Sequence, residues 1–161
     1  MKKFVALTLL FFIFYEYGFN QNDKTQNYKD DFTRIEISYG QFYSIKIFED
    51  GLLCKTTDEN LNEFFEFFPL KDLDFETFLK LQNYINKNNI FEIDSVVQNP
   101  HVIISSYQIG VLFIQNTNIK YVKWLSGENN KLKTIFCIAN NLIPKKRRRI
   151  YSIYPSWLPP C

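Results

Sequence analysis

The chain has 161 residues, 19 basic and 17 acidic side chains, a net charge of +2, and an aromatic content of 18% that includes 17 phenylalanines. Near-balanced charge excludes the strong field that steers a protein to a polyanion, and this length suits one domain rather than two. A single histidine excludes a three-His or H-E-x-x-H zinc site, and no C-x-x-C occurs among the three cysteines.

Residues 1–20 read as a secretory signal peptide. Lys2 and Lys3 form a positive start, residues 4–14 are apolar except Thr8, and Glu16 ends the run. Spanning a bilayer takes about 20 apolar residues, so the run matches the shorter apolar region of an export signal. Cleavage is expected between residues 18 and 22, although no A-x-A-like site is present. An uncleaved N-terminal anchor is the alternative. Residues 21–31 are polar and read as a disordered leader, which leaves residues 32–144 for one domain and 145–161 for a tail. The expected location is periplasmic or extracellular, possible envelope association included, with no transmembrane span after cleavage.

Period-two alternation then sets out strands. Ile35, Ile37 and Tyr39 alternate with Arg34, Glu36 and Ser38, and Tyr43, Ile45 and Ile47 alternate with Ser44 and Lys46. A Gly40-Gln41 turn joins them. Asp50-Gly51 suits the centre of a type I′ turn, which would set Glu49 against Leu52 and Cys54 against Ile47 on the core face. Residues 61–68 read as a fourth strand, although Phe64, Phe65, Phe67 and Phe68 also suit a helix.

A helix is expected over residues 75–88, capped by Asp74, with Phe75, Phe78, Leu79, Gln82 and Ile85 on its inner stripe and Asn88-Asn89 at its end. A loop through Asp94 and Pro100 leads to β segments at 102–107, 111–115 and 119–125. Asn116-Thr117-Asn118 forms the turn between the last two, and Gly110 marks a turn or a bulge. A second helix is expected over 129–143. Its Leu132, Ile135, Phe136, Ala139, Leu142 and Ile143 cover an arc of about 120°, and Pro144 stops it. The pattern is that of an α+β two-layer sandwich: an antiparallel sheet of about five to seven strands with two helices on one face.

The run Tyr39-Gly40, Tyr43, Ile45, Ile47 and Asp50-Gly51, followed by a helix and the step Asn89-Ile90-Phe91, resembles a family of small exported bacterial α+β domains of unknown function. The resemblance covers residues 33–143. Members often read C-Y-G-x-C-P-x-Y in this hairpin. Here Ser38 and Phe42 stand where those cysteines fall, and Tyr43 where the tyrosine or the preceding proline falls. The resemblance implies fold and export. It implies no activity, and no redox or metal role of a cysteine pair carries over.

Little in the chain points to catalysis. His101 with Cys54 or Cys137 is the one combination open to a Cys-His nucleophile pair, and Cys54 is expected in the core. Asp72, Asp74 and Glu76 cluster as a helix N-terminus does, and Asp94 and Glu128 fall in loops without an identifiable partner. No catalytic residue, metal or cofactor is expected. Cys137 lies about 160° from the apolar stripe of its helix at 100° per residue. A bridge from Cys137 to Cys161 would close a loop worth about 3 kcal/mol, against the alternatives of an intermolecular bridge or free thiols.

The tail is the leading binding candidate. Without Lys2, Lys3 and Glu16 the chain has 17 basic against 16 acidic residues, and five of the basic ones are Lys145, Lys146, Arg147, Arg148 and Arg149. The rest of the domain is therefore at −4. Tyr151, Tyr154 and Trp157 follow the basic run, so the tail suits an anionic envelope surface, or docking on its own acidic domain. An export signal argues against nucleic acid. The Phe64–Phe68 cluster is expected in a core strand, with a sticky patch for a peptide or glycan as the alternative. The function expected is an exported non-catalytic domain that binds an envelope protein or surface. The alternatives are a periplasmic inhibitor or immunity protein, a structural envelope component, or a small acid/base hydrolase. Oligomeric state is left open.

Overall fold

Alternation of apolar and polar side chains builds the centre of the sheet in the computed structural model, which describes residues 32–99, 108–126 and 129–153. Strands β1 (Arg34–Tyr39), β2 (Tyr43–Phe48) and β3 (Gly51–Thr57) turn Ile35, Ile37, Ile45, Ile47, Leu52 and Cys54 to one face, all fully buried. They continue into β4 (Glu63–Pro69). After helix α1 (Phe75–Lys87) come β5 (Val96–Val97), β6 (Ile109–Gln115) and β7 (Asn118–Trp124), then α2 (Asn130–Leu142) and the single-turn α3 (Arg148–Tyr151). The seven strands lie in the order β4-β3-β2-β1-β6-β7-β5.

This is the expected α+β sandwich, with one correction to its sheet. All neighbouring strands are antiparallel except β5, which runs parallel to β7 and makes the sheet mixed. Two residues carry no periodicity, so β5 reads as loop in the sequence. The segment 102–107 lies outside the described residues.

The β2–β3 turn is the second correction. Phe48 pairs with Gly51, so Glu49 and Asp50 are the turn residues and neither has positive φ. Ile47 therefore faces Leu52, and Cys54 faces Ile45 rather than Ile47. A shift of two residues keeps every side chain on its face, which is why the core assignment of Cys54 survives. Gly51 answers to β4 instead of the turn. A β-carbon there would collide with the Phe68 carbonyl oxygen and come within 2.7 Å of Phe67 Cζ. Gly51→Ala is expected to cost about 1–3 kcal/mol, as overpacking does. It should also speed exchange of the β4 amides, and an unchanged urea midpoint would contradict the close approach. Gly110 is likewise a packing glycine inside β6, neither turn nor bulge: a β-carbon would lie 2.7 Å from Ser38 Oγ and from Tyr121 Oη.

The helices pack on the face that carries the isoleucines. Asp74 caps α1, accepting from Thr77 N at 3.5 Å and Thr77 Oγ1 at 2.8 Å, and these bonds hold its carboxyl below the usual carboxylate range. Beyond Asn88, Asn89 takes a left-handed conformation (φ 47°) and turns the chain. The buried residues of α1 are Phe78, Leu81, Gln82 and Ile85. The stripe is rotated from the expected one, leaving Phe75 exposed and bringing Leu81 in. Gln82 has a reason to be buried. It accepts from Thr33 N at 2.9 Å and donates to Thr33 O at 3.0 Å, so one amide satisfies both backbone groups ahead of β1. On α2, capped by Asn129, the expected stripe is buried together with Ile138 and Asn140, and Phe136 meets Trp124 of β7 edge-on at 6.4 Å.

Packing does not stop at Pro144, where the sequence places the end of the domain. Tyr151 and Ile153 are 6% and 1% exposed. Asn140 accepts from Ile153 N at 3.0 Å and donates to Ile153 O at 3.1 Å, repeating on α2 the clamp that Gln82 makes on α1. No helix among the described residues is long and apolar enough to cross a membrane.

Candidate functional site

Strand β4 is the outermost strand on its side of the sheet. Its ladder to β3 is bracketed by two bonds, Asp58 N to Asn62 O at 3.0 Å and Leu70 N to Asp50 O at 2.8 Å. In an antiparallel pair alternate residues turn their backbone groups to the neighbour. Phe64, Glu66 and Phe68 therefore bond to β3, and Glu63, Phe65, Phe67 and Pro69 direct theirs outward. Pro69, which lacks an N–H, sits at an outward position, where an edge strand tolerates it.

The side chains of this edge are apolar on both faces. Phe65 and Phe67 pair with Lys55 and Leu53 on the face away from the helices, and are 57% and 47% exposed. Phe64 shares the helix-side face with Phe68 but lies 51% exposed. The expected core strand with buried phenylalanines is corrected: Phe68 alone of the four is buried. Among the described residues no strand lies beyond β4, so its rings have no outer neighbour in the sheet. A signal for this was present in the sequence, since Phe-Phe pairs on either side of Glu66 defeat alternation and place rings on both faces. Edges are ordinarily protected by lysine, proline or a bulge. Within β4 itself the protection consists of Glu63 and the terminal Pro69.

Charges frame the edge. Lys55 ion-pairs with Glu63 and lies 5.9 Å from the Phe65 ring centroid. On the other face Glu66 binds Arg147 Nε at 3.0 Å and accepts from the Tyr151 hydroxyl. Burial first, and then Glu66, push the Tyr151 phenol above its ordinary value. Beside them Cys54 is a free thiol pushed up to about 12 by burial and by the Glu66 carboxylate, which leaves it protonated and unreactive at neutral pH.

Within the described part of the tail, residues 145–153, the basic side chains have different surroundings. Arg147 is held by Glu66. Arg148 donates from Nε to Ile143 O at 3.0 Å and from Nη2 to Asn141 O at 2.7 Å, capping the end of α2. Tyr151 is buried against Phe68, ring centroids 6.3 Å apart. Lys145, Lys146 and Arg149 are exposed. Tyr154, Trp157 and Cys161 lie outside the described residues, as do His101 and Glu128 and the leader before residue 32. Asp94 is exposed in a shallow depression with Glu92, Asn129 and Lys131. Cys137 is half-buried on α2 beside Lys80, Lys133 and Asn141. No group of three or more His, Cys, Asp or Glu among the described residues is placed to hold a metal ion.

No protein family, no curated protein and no solved structure matches this chain.

Proposed function

We propose that this chain is an exported, non-catalytic binding domain that takes an extended protein segment alongside β4. The observation that carries the reading is a seven-residue edge strand with outward N–H and C=O groups and three exposed phenylalanines. Strand addition draws affinity from main-chain hydrogen bonds and specificity from alternate side chains. Phe65 and Phe67 would receive one set of the incoming side chains and Phe64 the other. Residues 1–20 support delivery of the domain to the envelope, where its partner would be met.

Site-specific photo-crosslinking tests this. A benzoylphenylalanine in place of Phe65 or Phe67, in the exported protein within cells, is expected to give one discrete adduct. The same group at Ile119, on the distant β7, should give none. Phe65→Glu is expected to abolish the Phe67 adduct without changing the circular dichroism. Absence of an adduct at both β4 positions, or an equal adduct at Ile119, would overturn the reading.

We also propose that Cys137 and Cys161 form a disulfide that ties down the end of the chain. Ile153 is fixed on Asn140, one helical turn from Cys137. The eight residues from there to Cys161 reach up to about 26 Å when extended, and Cys54 is a buried free thiol. Alkylation of the exported protein under denaturing, non-reducing conditions should modify one thiol. Three modified thiols would remove the bridge.

A further inference from the structure

The geometry points to a second copy of this chain as the segment that β4 accepts, paired antiparallel about a two-fold axis at Glu66. The inference rests on β4 being a strand-accepting edge and names the occupant of that edge.

Opposed residues in an antiparallel ladder share a face, so self-pairing must set one residue of β4 opposite its own copy. Centred on Phe65 or Phe67, the ladder would press Glu66 against Phe64 or Phe68 of the copy and put a carboxylate under a ring. Centres nearer either end shorten the ladder. Centred on Glu66, Phe65 meets Phe67 of the copy and Phe64 meets Phe68 of the copy, so all three exposed rings gain aromatic partners in one register. Such cross-strand aromatic pairs are favourable. The backbone agrees. Phe65 and Phe67 both point outward and would exchange two bonds with each other's copies. Glu63 N–H would reach the Pro69 carbonyl of the copy, and the N–H that Pro69 lacks falls at the rim of the ladder, where water can serve the Glu63 carbonyl.

Charge complementarity completes the match. Residues on the axis form a non-hydrogen-bonded pair with Cα atoms about 4.5 Å apart, and two bare carboxylates so placed would repel. Each Glu66 already carries Arg147 at 3.0 Å. The axis would therefore gather two carboxylates and two guanidiniums.

Sedimentation of the mature full-length chain in the micromolar range is expected to give a dimer. The double variant Phe65→Glu/Phe67→Glu should be a monomer with unchanged circular dichroism. Arg147→Gln should weaken the dimer about tenfold or more by exposing the Glu66 pair, and Glu66→Gln in the same chain should restore it, which loss of a merely structural contact would not allow. Register is read by Glu66→Cys, whose axial geometry falls in the disulfide range, in a chain that also carries Cys54→Ala, because Cys54 faces residue 66 across the β3–β4 ladder. It should form a covalent dimer on oxidation, and Glu63→Cys should not. A monomeric wild type, a dimer that survives Phe65→Glu/Phe67→Glu, or linkage by Glu63→Cys in place of Glu66→Cys would overturn the proposal. The photo-crosslinking experiment separates the two readings: a monomer with a Phe65 adduct of some other mass leaves strand capture standing and removes the second copy. A monomer without an adduct removes both.

Discussion

A chain ending at Pro144 is expected to lose its cooperative thermal transition or to melt far below the intact protein. The truncation removes the buried Tyr151 and Ile153, side chains worth about 1.5–3 kcal/mol each in burial. It also leaves the Asn140 amide without its two backbone partners, and the Asn141 and Ile143 carbonyls without Arg148. The Asn140 amide is buried, and each of its two groups stranded in this way costs about 1–3 kcal/mol. The sum is comparable with the 5–15 kcal/mol that holds a typical domain together. The contrasting variant replaces Lys145, Lys146 and Arg149 by alanine, which should move stability by no more than about 0.5 kcal/mol per site because these side chains are exposed. Thermal melts of both, followed by circular dichroism, make the comparison. A truncated chain with the melting temperature of the intact one would show that the tail is a mere appendage. The result also governs how the tail is studied: a deletion that abolishes membrane or partner binding says nothing about the basic run if it unfolds the domain.

Gln82→Leu is expected to destabilise the domain by about 2–5 kcal/mol. Leucine has nearly the right volume and suits a helix interior, so propensity and packing predict little change. The cost comes from Thr33, fully buried, whose N–H and C=O both depend on the Gln82 amide. Removing the amide leaves a buried donor and a buried acceptor unpaired, each at about 1–3 kcal/mol. Urea unfolding gives the magnitude. Native-state hydrogen exchange at Thr33 gives the location, since the amide should lose its protection in the variant ahead of the rest of β1. A loss below about 0.5 kcal/mol would mean that water replaces the side chain. In that case the clamp would be dispensable.

Gln82 and Asn140 show how far periodicity carries. Each is the polar member of an otherwise apolar face, and the sequence marks Gln82 as an exception without a reason. The reason is long-range: the partner of Gln82 lies 49 positions earlier, and that of Asn140 13 positions later. Local signals did better where the physics is local. Asp74 as cap, Asn88-Asn89 as stop, the α2 stripe and the faces of β1, β2 and β3 all depend on residues within one turn or one hairpin. Gly51 shows the limit from the other side. Asp50-Gly51 has the composition of a turn, yet the glycine is required by the approach of β4, an element that begins twelve positions later.

The candidate site was legible only in part. Pairs of phenylalanines around Glu66 announced rings on both faces of a strand, but whether such a strand lies at the centre of a sheet or at its margin depends on strand order. A core strand and a sticky edge can therefore share one sequence. The basic run was legible as charge, but the turning back of two of its arginines onto Glu66 and the end of α2 was not. Composition, alternation and capping by themselves determined that this is an α+β sandwich with two helices over a sheet of isoleucine-bearing strands. They also carry the expectation of export. Tertiary structure alone decided that β4 is the margin, that Gly51 yields to it, and that residues 145–153 belong to the fold. Periodicity reports which side of an element is apolar, whereas neighbours and edges follow from contacts between segments far apart in the chain.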